Sequence, residues 1–305
     1  MVNLPPSLQP LYPFQGRRFD RGGIALHYLD EGRGEPVVMV HGNPSWSFYY
    51  RKLVSALCSR YRVLAPDHIG CGLSDKPSDD EYPYSLERRV DDLEALLDHA
   101  GVASGATFVL HDWGGMIGLA CAARRPERVA RLVLLNTAGF RLPAGKRLPW
   151  ELKLARSRVL GAFLVRSLNL FARGATRACV TRRKLPPDVR AGYLAPYSSF
   201  RDRIAVHRFV QDIPIGPSDP AFPVVEAVER SLERWRSVPV LLLWGARDFV
   251  FDDAFLAEWR RRLPSAETHR FQDAGHYVLE DAFDEILPLI SSFLARHPLP
   301  AEAVP

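Results

Sequence analysis

The sequence predicts an α/β fold with a mostly parallel, eight-stranded sheet and an inserted block of helices. Short, largely apolar runs recur along the chain, and such runs are typical of parallel strands that are covered on both faces. Segments with helical spacing of apolar residues lie between several of these runs. The runs are residues 36–40, 62–65, 107–110, 132–135 and 240–244.

Turn and capping residues predict the remaining elements. Residues 24–29 alternate and precede a glycine-rich turn at 31–35, which predicts an antiparallel hairpin. Residues 85–99 carry their apolar side chains on one helical face, between Ser85 as N-cap and Gly101 as the stop. We also expect helices at 116–123, 253–262 and 280–295 and a strand at 268–271.

Charge is unevenly distributed along the chain of 305 residues, whose net charge is +5. Residues 141–215 hold 16 Lys or Arg and 4 Asp or Glu, whereas all other residues hold 24 and 31. Such a contrast is typical of a separate structural unit. The same block contains helical stretches broken by prolines and no convincing strand. We therefore expect an α/β-hydrolase core of residues 1–140 and 216–305 and a helical cap (lid) of residues 141–215.

The composition is that of an ordinary globular protein, with 47% hydrophobic and 25% charged residues. The first residues lack the pattern of a secretory leader, and no apolar run approaches the ~18 residues of a membrane span. Four cysteines lie far apart without metal-ligand spacing. We expect a cytoplasmic enzyme with no metal, no cofactor and no transmembrane segment.

The basic block raises the question of a charged partner. It lacks the interleaved aromatic and basic residues, zinc spacing or RNA-binding motif of nucleic-acid proteins, so nucleic acid is excluded as a partner. A protein partner, an anionic membrane surface and a plain solvated Arg-rich face all remain open.

Asp112 is the first candidate for chemistry. The apolar run 107–110 leads directly into His-Asp-Trp-Gly-Gly at 111–115 and then into a helix. This strand-turn-helix pattern is typical of a nucleophile elbow, here with a carboxylate that would form an ester with its substrate. The alternative is that Asp112 only caps the helix.

Asp248 and His276 supply the partners that such a nucleophile needs. Asp248 follows the run 240–244, and His276 follows Gly275 in the loop before the last helix. Reactive groups in open α/β sheets gather at the carboxyl ends of the strands, so we expect all three side chains to meet in one crevice. The order nucleophile, acid, histidine is that of α/β-hydrolases.

Asn43 and Trp113 are predicted to stabilise charge beside Asp112. The backbone N–H groups of both residues are expected at an oxyanion hole, because residues 41–44 follow the first parallel strand. The side-chain amide of Asn43 and the indole of Trp113 are further donors that would face a leaving group. Trp113 as a core-filling side chain is the alternative.

Several motifs carry a family resemblance over nearly the full length. They are residues 41–46 (HGNPSW), residues 66–77 (PDHIGCGLSDKP), the elbow at 112, residues 193–197 (YLAPY) and residues 275–277 (GHY). With these motifs the chain resembles the haloalkane dehalogenase family of α/β-hydrolases. The resemblance implies that Asp112 is the nucleophile, His276 the base, and Asn43 with Trp113 the halide-stabilising pair.

One position refines the resemblance. Many relatives place the acid after the strand that here precedes Asn136, and an amide cannot take that role, so the resemblance implies that Asp248 does. This triad resembles the third subgroup of the family, which includes the β-lactone decarboxylases of bacterial long-chain olefin synthesis. Residues 17–21 and 69–73 look most like those enzymes.

The resemblance leaves several functions open. We prefer decarboxylation of cis-β-lactones to cis-alkenes, because apolar cap residues would hold long alkyl chains: Leu152, Leu154, Leu160, Phe163, Leu164, Leu168, Leu170 and Phe171. The alternatives are haloalkane hydrolysis, epoxide hydrolysis with Tyr193 and Tyr197 as proton donors, and a binding protein without catalysis. We also expect the basic cap, through Arg182, Arg183 and Lys184, to dock an acidic partner such as the upstream β-lactone-forming enzyme.

Overall fold

The fold is a single eight-stranded sheet, in the order β1-β2-β4-β3-β5-β6-β7-β8. A computed structural model describes residues 4–299, so the ends of the predicted core segments lie outside the described residues. The strands are β1 (Arg17–Asp20), β2 (Ala25–Glu31), β3 (Pro36–Val40), β4 (Arg62–Pro66), β5 (Ala106–Asp112), β6 (Val129–Thr137), β7 (Val240–Gly245) and β8 (Glu267–Phe271). The predicted fold class is confirmed.

Strand direction separates the sheet into two parts. β1, β2 and β4 pair antiparallel, whereas β4, β3, β5, β6, β7 and β8 pair parallel. The prediction that the turn at 31–35 closes a hairpin is wrong. β2 forms its hairpin with β1, and its other edge pairs with β4, whose Val63 lies opposite both Glu31 and Val37. Residues 31–35 connect β2 to β3, but these two strands are not neighbours in the sheet.

Helices cover both faces of the sheet. They are α1 (Arg51–Leu57), α2 (Leu86–His99), α3 (Trp113–Arg124), α4 (Trp150–Arg156), α5 (Val159–Gly161), α6 (Leu170–Ala178), α7 (Pro187–Leu194), α8 (Ile204–Gln211), α9 (Phe222–Ser231), α10 (Asp253–Arg262), α11 (Val278–Asp281) and α12 (Phe283–Arg296). A π-helical stretch, Ala162–Ser167, continues α5. The predicted helix at 280–295 is two helices, because the chain turns at Ala282.

Alternate strand residues feed two cores, which explains the continuous apolar runs. Val38 and Val40 of β3 pack with the helices α2, α3, α9 and α10, whereas Val37 and Met39 pack with α1, α11 and α12. A side chain on either face of these strands is therefore buried.

Residues between β6 and β7 form helices and no strand in the described structure. The helices α4, α6 and α8 share a small apolar cluster of their own, which includes Ala155, Ala172 and Val206. α9 instead packs with the larger core through Val225 and Val228. This division agrees with a separate cap, although the boundaries 141 and 215 stay a prediction. No helix in residues 4–299 combines the length and apolar character needed to cross a bilayer.

Candidate active site

Asp112 lies at the turn between β5 and α3 in a backbone conformation unusual for a residue with a side chain. Its φ is 52° and its ψ is −127°, which places the carboxylate above the end of the sheet. The side chain makes no capping hydrogen bond to α3, so the interpretation of Asp112 as a helix cap is wrong. A Cβ at Gly114 would overlap the carbonyl of Val40, so only glycine allows the turn to pack this closely.

Two backbone N–H groups lie against the Asp112 carboxylate. The N–H of Asn43 donates to Oδ1 at 2.6 Å, and the N–H of Trp113, the first residue of α3, lies close enough to the same carboxylate to lower its pKa. Gly42 permits this approach, because a Cβ there would overlap Oδ1. The N–H groups that the sequence assigned to an oxyanion hole thus hold the carboxylate of Asp112 itself.

His276 and Asp248 approach from the loops that follow β8 and β7. Nδ1 of His276 donates to Oδ2 of Asp248 at 2.7 Å, which leaves Nε2 of His276 at 3.6 Å from Oδ2 of Asp112. The other oxygen of Asp248 accepts the N–H of Val250 at 2.7 Å. All three side chains are almost fully buried. The structure therefore brings together the three residues that the sequence selected.

Burial and neighbouring charges shift the pKa values of His276 and Asp112. Burial favours the neutral form of His276, but the carboxylates of Asp248 and Asp112 outweigh it and raise the pKa of His276. Burial also raises the pKa of Asp112, against the opposing effects of His276 and the two N–H groups. The arrangement is an imidazole between two carboxylates, of which Asp112 alone has an oxygen directed toward a cavity.

Two neighbours that sequence reasoning did not select hold this geometry. Nε2 of His111 donates to the carbonyl of His276 at 2.9 Å, and its ring stacks on Tyr49 at 4.3 Å. Burial lowers the pKa of His111 well below its usual value, so the ring is a neutral support. Thr137 Oγ1 donates to the Asp112 carbonyl at 2.5 Å. The only signs of these two roles were that His111 precedes Asp112 in the chain and that Thr137 pairs with Asp112 in the sheet.

Asn136 joins the ends of β6 and β7. Its Nδ2 donates to the carbonyl of Gly245 at 3.0 Å, and its Oδ1 accepts the N–H of Gly245 at 2.8 Å. The position that holds an acid in many relatives is thus occupied by an amide that fixes the strand leading to Asp248.

The Asn43 and Trp113 side chains form part of the cavity wall. Nδ2 of Asn43 donates to the carbonyl of Val206 at 3.1 Å, while its Oδ1 is buried without a hydrogen-bond partner in the described residues. The indole of Trp113 packs against Phe209 with ring centres 5.4 Å apart. One hydrogen of the Asn43 amide therefore remains for a ligand.

A cavity of about 540 Å³ lies above Asp112 and His276. Its wall is mainly apolar and comes from both core and cap: Met116, Phe140, Leu148, Leu152, Leu170, Phe171, Ala175, Val210, Phe249 and Phe251 contribute. This volume and lining suit a hydrophobic small molecule.

The expected alkyl-binding role of eight cap residues is correct only in part. Leu152, Leu170 and Phe171 line the cavity, whereas the other five do not. Four of those five, Leu154, Leu160, Phe163 and Leu168, are exposed on the surface instead. The sequence shows the apolar character of a helix but not which face meets the cavity.

The two cap tyrosines are engaged elsewhere. The hydroxyl of Tyr193 donates to Glu280 at 2.6 Å, and that of Tyr197 donates to the carbonyl of Ser45 at 3.2 Å. Neither residue lines the cavity. This geometry disfavours epoxide protonation by these tyrosines. In residues 4–299 no group of three or more His, Cys, Asp or Glu residues is arranged to hold a metal ion.

The same fold and sequence pattern occur in known proteins. A family model for the alpha/beta hydrolase fold matches residues 35–283. A cis-3-alkyl-4-alkyloxetan-2-one decarboxylase of Shewanella oneidensis is 52% identical, over 95% of this chain and 91% of that protein. A second cis-3-alkyl-4-alkyloxetan-2-one decarboxylase, from Xanthomonas campestris, is 48% identical, over 95% of this chain and 99% of that protein.

More distant relatives are haloalkane dehalogenases. That of Mycolicibacterium paratuberculosis is 36% identical, over 92% of this chain and 93% of that protein. Among solved structures, haloalkane dehalogenase DatA from Agrobacterium tumefaciens has a TM-score of 0.82 and 26% identity, over 93% of this chain and 97% of that one. The chain therefore belongs to the α/β-hydrolase family, as a relative of both the oxetanone decarboxylases and the haloalkane dehalogenases.

Proposed function

We propose that this enzyme converts cis-3-alkyl-4-alkyloxetan-2-ones, which are β-lactones, into cis-alkenes and CO2 in long-chain olefin synthesis. Two relatives at 52% and 48% identity carry that name. The largely apolar cavity suits a substrate with two alkyl chains. The observation that carries the proposal is the asymmetric Asp112 carboxylate: Oδ1 accepts the N–H of Asn43, whereas Oδ2 lies 3.6 Å from Nε2 of His276, beside the cavity that both residues line.

In the first step, Oδ2 of Asp112 attacks the ring carbon that bears the ring oxygen. A C–O bond to Asp112 forms, the bond from that carbon to the ring oxygen breaks, and the strained ring opens to a free carboxylate. Attack on the lactone carbonyl would instead need donors for a substrate oxyanion. The N–H of Asn43 already donates to Oδ1 of Asp112, so the ring-carbon route fits this geometry better.

In the second step, the new carboxylate leaves as CO2. The electrons of its C–C bond form the alkene, and the bond to Asp112 breaks, which returns the carboxylate to the enzyme. Atoms balance without water. The Asn43 amide and the Trp113 indole would stabilise the free carboxylate between the steps. Asp248 orients His276, and when His276 is protonated it stabilises the returning Asp112 carboxylate.

Haloalkane hydrolysis is the second candidate, because the same geometry supports it. Asp112 would displace halide toward Asn43 and Trp113, and His276 would activate water against the resulting ester. The N–H of Asn43 on Oδ1 would then stabilise the oxyanion of that second step. The specific support is the 36% identity to a haloalkane dehalogenase.

Product analysis distinguishes the two candidates. The purified enzyme is incubated with a cis-3,4-dialkyloxetan-2-one and, separately, with a 1-bromoalkane of similar length. We expect cis-alkene from the lactone, measured by gas chromatography, and little bromide from the haloalkane, measured by ion chromatography. Bromide release without alkene formation would reverse the assignment, and a diol from a matching epoxide would point to epoxide hydrolysis.

Trapping the intermediate tests the attacked atom. In His276→Gln we expect slower breakdown and an Asp112 peptide that carries the whole lactone, detected by mass spectrometry. An alkyl ester should survive neutral hydroxylamine, whereas an acyl anhydride from carbonyl attack should be cleaved at once. Loss of the added mass on that treatment would contradict attack at the ring carbon.

A complex with other enzymes of the same pathway is a further part of the proposal, with an acidic partner at the basic cap. Arg182 is unsuited to test it, because it already binds Asp273 and Glu285 within the chain. Arg183 and Lys184 form no ion pair in the described residues. Reversing the charge of these two should weaken co-elution with the lactone-forming enzyme at low salt. Unchanged co-elution would exclude this surface.

A further inference from the structure

The outer surface of residues 147–173, here called the cap tip, exposes a cluster of large apolar side chains. Seven of the ten such side chains that are exposed in residues 4–299 lie here: Trp150, Leu154, Val159, Leu160, Phe163, Leu168 and Leu170. Val159 is 84% exposed and Trp150 is 69% exposed. A cluster of this kind marks an interaction surface, whereas single exposed apolar residues do not.

Cations without partners surround these apolar side chains. Arg147, Lys153, Arg158 and Arg173 are exposed, and none of them forms an ion pair within residues 4–299. The cap tip has one acidic residue, Glu151. A positively charged surface with projecting Trp, Phe and Leu side chains is typical of helices that lie in the interface of an anionic bilayer.

Part of the cavity wall is exposed at the cap tip. Leu170 lines the cavity and is also 50% exposed, and the exposed Arg147 lines it as well. The helices α4 and α6, which carry three of these seven exposed apolar side chains, also contribute Leu152 and Phe171 to the cavity wall. A surface bound to the cap tip would therefore lie beside the entrance to the active site.

We propose that the cap tip docks on an anionic lipid surface and that the substrate enters the cavity from the lipid. Charge favours an anionic lipid surface over a second copy of the chain, because the copy would bring the same unpaired cations and be repelled. A fluid lipid surface can also accommodate apolar side chains of irregular height. The entry route rests on the proposed function, since a lactone with two alkyl chains partitions into lipid more strongly with each methylene.

Binding to vesicles tests the docking without any substrate. The full chain is sedimented with vesicles of phosphatidylcholine alone and with vesicles containing one part phosphatidylglycerol to two parts phosphatidylcholine. We expect binding to the anionic vesicles that falls as salt is raised, and little binding to the neutral ones. Equal binding to both, or binding to neither, would overturn the proposal.

Two pairs of variants place the contact. Lys153→Glu with Arg158→Glu removes cations, and Val159→Ser with Phe163→Ser removes apolar contacts. Each pair should lower the vesicle affinity by about tenfold or more. The matched charge control is Arg60→Glu with Arg234→Glu, which are exposed and unpaired outside the cap, and the apolar control is Ile215→Ser. Equal loss in the controls would show that net charge, not the cap tip, governs binding.

Further measurements separate this inference from the proposed function and from other occupants. All four altered residues lie outside the cavity wall, so turnover of a short-chain, water-soluble lactone should be unchanged. With a long-chain lactone in anionic vesicles, the same variants should be slower. A concentration-dependent dimer that Val159→Ser with Phe163→Ser abolishes would show that a second copy covers the cap tip, and would overturn lipid docking.

Discussion

The carboxyl edge of the sheet and the cap tip use polar groups in opposite ways. At the sheet edge, Asp112 is held by the N–H of Asn43, and Asp248 by the N–H of Val250 and by His276. On the cap tip, exposed cations such as Lys153 and Arg158 have no ion-pair partner in the described residues. Hydrogen-bond donors held in place suit a reaction that needs one arrangement of its reacting atoms. Exposed cations without ion-pair partners suit a fluid surface, whose charged groups have no fixed positions.

The largest effect is expected at the fixed edge, from Asp112→Asn. Asparagine keeps the shape and tolerates positive φ, but it cannot form the ester. We expect alkene formation to fall by about 10⁴-fold or more, with unchanged thermal unfolding. Steady-state turnover and a melting curve measure the two quantities.

The matched control is Asp284→Asn, which removes an exposed carboxylate from α12. Its activity should equal that of the parent. Residual turnover of Asp112→Asn within tenfold of the parent would mean that Asp112 does not bond to the substrate.

The second effect concerns a buried ion pair of the core that one hydrogen bond joins to the cap. Glu280 forms a buried ion pair with Arg51 and accepts a hydrogen bond from Tyr193 of α7. Glu280→Gln leaves the buried Arg51 without a countercharge, which should lower the free energy of unfolding by about 3 kcal/mol. Urea denaturation measures it.

Two variants sharpen this result. Tyr193→Phe removes only the hydroxyl contact and should cost about 1 kcal/mol. Glu233→Gln breaks an exposed pair with Arg236 and should have almost no effect, because exposed pairs contribute little. If all three variants have the same free energy of unfolding, neither the buried ion pair nor the Tyr193 hydroxyl stabilises the fold.

A third effect tests the strand ends, through Asn136→Ala. This substitution leaves the N–H and carbonyl of Gly245 without their side-chain partners, which should cost about 2 kcal/mol. Because Gly245 precedes the loop of Asp248, kcat should fall more than KM rises. A variant that loses stability but keeps the parent kcat would show that Asn136 stabilises the sheet and does not position Asp248.

The sequence predicted the core better than the cap for a physical reason. Asp112 and Asp248 stand at the ends of clear apolar runs, whereas His276 was placed by its position in the loop before the last helix, because β8 is largely polar. Their meeting point then followed from topology. The cap side chains Leu160 and Phe163 have the same apolar character as Leu152, yet they are exposed, because only packing decides which helix face meets the cavity. The positioning contacts of His111 and Asn136 join strand ends to residues more than 100 positions away in the chain, which no local pattern encodes.

The smallest expected effect links cap and core through pH. Asp212, at the end of α8, accepts the N–H of Leu86 at the start of α2. Burial raises the pKa of Asp212 to about 6, despite the nearby Arg89. In the unfolded chain an aspartate titrates near ~4, so between these values the folded state binds the extra proton. The Asp212 contribution to stability is thus present at low pH and is lost as the pH rises through about 6.

Asp212→Asn should remove this dependence, since asparagine resembles the protonated carboxyl and can still accept the N–H of Leu86. Relative to the parent, the variant should gain stability as the pH rises from about 4 to about 7, by up to roughly 2 kcal/mol; the pKa of about 6 already includes the attraction to Arg89. Urea denaturation at several pH values measures the difference, with Asp284→Asn as the flat reference. Parallel curves for Asp212→Asn and the parent would mean that Asp212 is ionised throughout, and that the junction of cap and core does not respond to pH.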